Sequence, residues 1–349
     1  MKRKYVAILI IVLVVGTGSF LWKHFINPDP VSAELKQMVT DSASSTFSVK
    51  KWEESEKYSK KAMKFKEKDE LMSSGNEFAV TGVKLKAPYG IACLSEGILL
   101  ADHGEGCLYL IDYSGNLVRK IGELGNGPNQ FQKPTGCTYH NGYYYVIDSG
   151  NKRIVILDRQ FNYTKELKLP KSEREPEKEF TDIAINDKGD IYISGSYLYD
   201  SGLYRYNLGK EKFENVQKYF YGSLKEFDGK VYAVDQFRIY VDFEKKEITG
   251  GAGPNALWKL DGRNIKKLSN LPAGLNAGSF ELLRDNLIIC SPFHSAVMAF
   301  NMNDGKYISN IYEVNKMDYK TYASIYSSYL YITEPEKGKI LKVSLEKLQ

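Results

Sequence analysis

Cysteine and histidine are scarce, with four of each in 349 residues. Cys93, Cys107, Cys137 and Cys290 form no C-x-x-C pair, which excludes a zinc ribbon and a thioredoxin-type motif. No Cys precedes Cys93, so none is near the N-terminus to carry a lipid. Charge of one sign is also lacking. Lys and Arg number 48 against 43 Asp and Glu, a net charge of +5, too small over this length to indicate a nucleic-acid partner. No G-x-S-x-G elbow, phosphate-binding Gly loop or H-E-x-x-H occurs. Only one long hydrophobic run exists, at the start, which excludes a polytopic membrane protein.

That run extends from Tyr5 to Trp22 behind Lys2, Arg3 and Lys4. A basic start followed by about 18 apolar residues fits a signal anchor near the minimum length for a spanning helix. The segment Val15-Gly16-Thr17-Gly18-Ser19 matches a small-residue cleavage site only loosely. The expectation is an uncleaved single-pass anchor over residues 1–25, with a cleaved signal as the alternative. The positive-inside rule then puts the N-terminus in the cytoplasm and the rest of the chain outside the cell membrane. Asn27-Pro28-Asp29-Pro30 ends any helix there. Residues 26–75 read as a polar connector, helical or disordered, because Val49 to Leu71 mixes Lys and Glu with few apolar positions.

The abundant residues lie beyond this point. Twenty-six Tyr and 29 Gly suit strands and tight turns. A repeat begins at Tyr89-Gly90, Thr135-Gly136, Thr181-Asp182, Tyr221-Gly222, Ala277-Gly278 and Tyr322-Ala323. The starts are separated by 46, 46, 40, 56 and 45 residues, the spacing of four-stranded propeller blades. In each unit a β-rich run ends in a polar residue: Asp102, Asp148, Ser194, Asp235, Ser291 or Glu334. A second apolar run follows a loop, ending at Asp112, Asp158, Asn207, Asp261 and Asn301 in the first five units and at Val343-Ser344 in the sixth. The fold class is therefore all-β, a six-bladed β-propeller over 76–349. The last unit stops at Gln349 without a fourth strand, while Phe78 to Lys84 forms an orphan apolar stretch. A ring without open edges needs that stretch to complete the sixth blade. The cysteines fall mostly within strand patterns and read as small buried hydrophobes. An exported location leaves a disulfide open.

Unit two carries Gly122-Glu-Leu-Gly125-Asn-Gly127-Pro128 and, further on, Asp148-Ser-Gly150-Asn151-Lys-Arg153-Ile154. This text resembles the NHL repeat and related six-bladed propellers of bacterial surface proteins. Unit one keeps Asp102 and Gly104, and units three to six keep the spacing but lose Asn-x-Arg. On physical grounds Gly125 and Gly127 permit positive φ, Asp148 and Asn151 cap their own loop, and Arg153 pins a neighbouring one. The resemblance also raises two enzyme types. One is a peptide-amidating lyase that holds zinc through three His. Here His103 and His294 fall on one face of the meander and His140 on the other, so one metal cannot reach all three. The other is a sugar-lactone hydrolase with a carboxylate-rich metal site, for which only Asp182 is available in the aligned column. No catalytic residue, metal or cofactor is assigned.

The loops leading into the inner strands share a face with those between second and third strands. That face collects Tyr89, Tyr221 and Tyr322, with His103, Asp148, Asn151 and Arg153 farther out, and the longer loops at 198–202 and 237–255. These seven side chains are the candidate ligand-binding residues, since function gathers on long loops and Tyr and Arg favour hot spots. The expectation is a binding module for a protein, peptide or glycan, with no nucleic acid. The alternative is a propeller lyase or hydrolase working at the channel mouth.

Overall fold

A computed structural model describes residues 71–349 apart from 172–178, 197–200, 219, 236–237, 243–246, 252–254, 273–274, 276, 293 and 319, and the backbone of 48–53. For 196, 238–242 and 247–251 it likewise describes the backbone alone. The chain is a six-bladed β-propeller. Each blade is a four-stranded antiparallel meander running from the channel outward. The inner strands are Pro88–Leu94, Pro134–His140, Glu179–Ile185, Gly222–Phe227, Ser279–Leu283 and Ala323–Tyr326. The second strands end at the polar column read from the repeat, for example Gly97–Asp102 and Tyr143–Asp148.

Burial explains this arrangement. Second and third strands such as Gly97–Asp102 and Cys107–Ile111 are buried throughout, because each blade is covered on both faces by its neighbours. Leu99, Leu108, Phe131, Val146 and Val155 form one such seam between the first two blades. The outer strand Leu117–Ile121 exposes Val118, Arg119 and Lys120, and such charged side chains discourage pairing at the edge. The small-residue column has a steric cause. A Cβ at Gly90 would overlap the Thr135 carbonyl oxygen of the next blade, and one at Gly136 would crowd Thr181 and Asp182 of the third.

The ring closes through an N-terminal strand, but not the expected one. Gly75–Glu77 pairs antiparallel with Lys339–Ser344, with Gly75 opposite Val343 and Glu77 opposite Leu341. Phe78 N–H then donates to the Ile340 carbonyl at 2.8 Å. The orphan stretch beyond it crosses to blade 1, where Thr81 bridges to Asn116. Its apolar pattern serves the seam between blades 6 and 1, where Phe78, Val80, Val83 and Leu85 join Ile98, Tyr331 and Ile340.

Two further expectations change. The long loop of blade 4 contains the antiparallel strands Arg238–Asp242 and Glu247–Gly251. Ser48–Glu53, placed in a helical or disordered connector, is a strand running parallel to the second of these. The anchor expected over 1–25 lies outside the described residues, and no described helix is long and apolar enough to cross a membrane. All four cysteines are free. Burial pushes the thiols of Cys93, Cys137 and Cys290 up to about 12, so they are protonated and unreactive at neutral pH.

Candidate functional site

The repeat brings the residues around the start of each inner strand to one mouth of the channel, and there the structure gathers four of the seven candidate residues. The Tyr89 and Tyr322 rings stack with centroids 5.7 Å apart, and His103 stacks on Tyr89 at 4.3 Å. Tyr221 and Tyr322 line a pocket of about 50 Å³, room for a few waters or one small polar head group. Burial raises the Tyr89 and Tyr322 hydroxyls above their ordinary range, so both stay neutral donors.

Two charged side chains that the repeat did not reveal complete the mouth. Lys320 Nζ lies 3.1 Å from Glu179 Oε2 and 5.4 Å from the centre of the Tyr89 ring. His103 Nε2 lies 3.4 Å from Glu179 Oε1. Burial alone would raise the Glu179 carboxyl, but His103 and the Lys320 ammonium outweigh it and hold it at about 2. Glu179 in turn raises Lys320 against its own burial.

Below the mouth the channel stays polar. Lys225 Nζ meets Glu281 Oε1 at 2.8 Å and donates to the Ala323 carbonyl at 2.5 Å. Asp182 accepts from the Leu224 amide at 2.9 Å and from its neighbour Ile183 at 3.0 Å. Burial raises the carboxyls of Asp182 and Glu281, and Lys225 only partly offsets this. Asp182 also lines the mouth pocket, directly across the ladder from Ser194. Ser194 and Thr321 are 2% and 1% exposed, and both line the pocket. Their hydroxyl oxygens have no hydrogen-bond partner among the described residues. Buried hydroxyls are ordinarily paired, so two unpaired ones from residues lining one pocket mark it out among the described residues.

The other three candidates lie in a separate network in blade 2. Arg153 Nε donates to Asp148 at 2.9 Å and Nη1 to Glu166 at 2.8 Å. Its Nη2 donates to the Gly127 and Gln130 carbonyls at 2.6 and 2.9 Å. Asn151 Nδ2 donates to the Gly125 carbonyl and to Asp148, and Asp148 also accepts from the Gln132 amide. These groups fasten the 125–130 loop and leave little hydrogen-bonding capacity for a ligand. Gly127 does not adopt the positive φ expected of it. Its role is to present its carbonyl to Arg153 and its amide to Gln130.

Among the histidines, His294 Nδ1 contacts Ser291 Oγ at 2.8 Å within blade 5. Among the described residues no three His, Cys, Asp or Glu side chains converge as a metal site. Of the longer loops expected on this face, 197–200 lies outside the described residues.

Sequence signals for the missed residues did exist. Lys225 and Glu281 occupy the same register in adjacent blades, three residues after Gly222 and Gly278. Ser194 stands where four of the other blades place Asp102, Asp148, Asp235 and Glu334.

Residues 82–232 match DUF5128, a family described as a 6-bladed beta-propeller. No curated protein matches the chain significantly. Similar solved structures include a gluconolactonase from Xanthomonas campestris, at 10% identity and a TM-score of 0.55, covering 78% of this chain and 89% of that one. Virginiamycin B lyase from Staphylococcus aureus is 16% identical with a TM-score of 0.52, covering 78% and 99%. A structural-genomics protein of unknown function from Bacteroides thetaiotaomicron is 14% identical with a TM-score of 0.53, covering 80% and 74%. At such identities the likeness is one of fold, and that fold serves unrelated activities.

Proposed function

We propose that this chain is an exported, NHL-like propeller, held at the cell membrane by its N-terminal segment, whose channel mouth binds a protein, peptide or glycan partner. The observation that carries this reading is the mouth pocket with the unpaired, buried hydroxyls of Ser194 and Thr321. A buried polar atom without a partner is unfavourable by about 1–3 kcal/mol, a penalty that a ligand of matching polarity relieves. The rings of Tyr89, Tyr221 and Tyr322 add stacking surface around it.

The test is a defined array of peptides and cell-surface glycans, probed with the full-length chain and with a Tyr221→Ala/Tyr322→Ala variant. The expected result is that the variant keeps the parent's melting transition and loses at least tenfold in binding. Equal binding by both proteins moves the site elsewhere, and chemical conversion of an array member argues for the lyase or hydrolase alternative. Anchoring is tested separately by N-terminal sequencing of the mature protein, where a start near Ser19 overturns it.

A further inference from the structure

The charges of the channel do not balance, and the imbalance has a location. Glu179, Asp182 and Glu281 face the ammonium groups of Lys225 and Lys320. Lys320 pairs with Glu179 at 3.1 Å and Lys225 with Glu281 at 2.8 Å. Asp182 is left with two backbone amides and no ammonium within ion-pair distance among the described residues. It lines the mouth pocket beside the unpaired hydroxyls of Ser194 and Thr321. A carboxylate and two hydroxyl oxygens are three acceptors around one small space, and a primary ammonium brings three donors.

Resting on the mouth as the binding site, we propose that the pocket recognises the side-chain ammonium of a lysine in a partner peptide or protein, seated against Asp182, Ser194 and Thr321. Tyr221 and Tyr322 flank the stem, and aromatic faces attract such cations. The mouth already holds one ammonium in this manner, since Lys320 sits between the Glu179 carboxylate and the Tyr89 ring. The small volume favours a charged tip on a slender methylene stem over a branched or cyclic group. Burial raises the Asp182 carboxyl and Lys225 offsets this only in part, so a ligand ammonium adds a further positive charge beside it.

The probe is Nα-acetyl-lysine amide, compared with Nα-acetyl-norleucine amide, which keeps the stem and lacks the charge. Each is titrated calorimetrically into the full-length chain. The expected result is saturable binding of the lysine amide and at least tenfold weaker binding of the norleucine amide. Asp182→Asn is expected to weaken the lysine amide at least tenfold and Ser194→Ala severalfold, each measured per folded molecule. Should Asp182→Asn fail to fold, the norleucine comparison and Ser194→Ala still decide. Equal binding of the two amides, or full affinity in Ser194→Ala and Asp182→Asn, overturns the proposal. So does binding of alanine amide or glucosamine in preference to the lysine amide, which moves the ligand class to α-amines or amino sugars and leaves the mouth as the site. Failure of every amine, together with failure of the whole array, removes the mouth reading as well.

Discussion

Two regions of this propeller bury polar side chains, and they differ in how far those groups are satisfied. In blade 2, Arg153 makes four hydrogen bonds with its guanidinium, and Asp148 and Asn151 take up the remaining partners of the same loop. At the channel mouth, Ser194 and Thr321 are as deeply buried but unpaired among the described residues, and Asp182 accepts from two backbone amides alone. A saturated network holds structure together, whereas an unsaturated one retains capacity for another molecule. The difference separates Arg153, Asp148 and Asn151 from Tyr89, Tyr221, Tyr322 and His103, which share one face in a reading of the repeat alone.

The comparison is broken most severely in blade 2. Arg153→Ala strands the Asp148 carboxylate, which is wholly buried, and removing one partner of a buried pair costs about 3–5 kcal/mol. Urea unfolding is expected to show that loss. A smaller effect is expected in the channel. Lys225→Met destabilises by leaving Glu281 unpaired, while Lys225→Met/Glu281→Leu recovers most of the stability, because an apolar pair of similar volume is often neutral or better. A double variant as unstable as the single one would refute that account.

Acid sensitivity comes next. The Glu179 carboxyl is held below its ordinary 4.5, at about 2. Its folded value is depressed, so its contribution is present above about 4.5 and is lost as the pH falls toward 2. Asp182 is shifted the other way, so it opposes folding at neutral pH and that opposition fades on acidification. Acid titrations of the unfolding free energy are therefore expected to lose part of their slope between about 4.5 and 2 in Glu179→Gln. Asp182→Asn removes that opposition but leaves one of the Ile183 and Leu224 amides without its acceptor, so the variant is expected to gain on the parent as the pH rises without having to exceed it. The smallest effect belongs to Ser194→Ala, which removes an unpaired hydroxyl and is expected to change stability by no more than about 1 kcal/mol in either direction.

Much of the architecture was legible because it repeats. Six returns of the same two-residue start, five of them with Gly or Ala in second place, each followed by strand patterns at similar offsets, specify blades without reference to tertiary contacts. The local motif around Asp148 and Arg153 was equally readable, since its partners lie within 26 residues of one another. The mouth was only half readable. Tyr89, Tyr221 and Tyr322 fall in the aligned column, but Glu179, at the start of an inner strand, and Lys320, in the segment before one, lie just outside it. They are 141 residues apart and meet only because the ring closes. The closing strand was missed for a related reason. Gly75–Glu77 carries no apolar signal, being an exposed edge, whereas the apolar stretch after it belongs to a seam between blades.

The most direct test sets binding per folded molecule against unfolding free energy for Arg153→Ala and for Ser194→Ala/Thr321→Val, both in the full-length chain. The account predicts a dissociation: Arg153→Ala loses stability and binds normally while folded, and the hydroxyl variant keeps its stability and loses at least tenfold in binding. Loss of binding in Arg153→Ala with full binding retained in Ser194→Ala/Thr321→Val would contradict it.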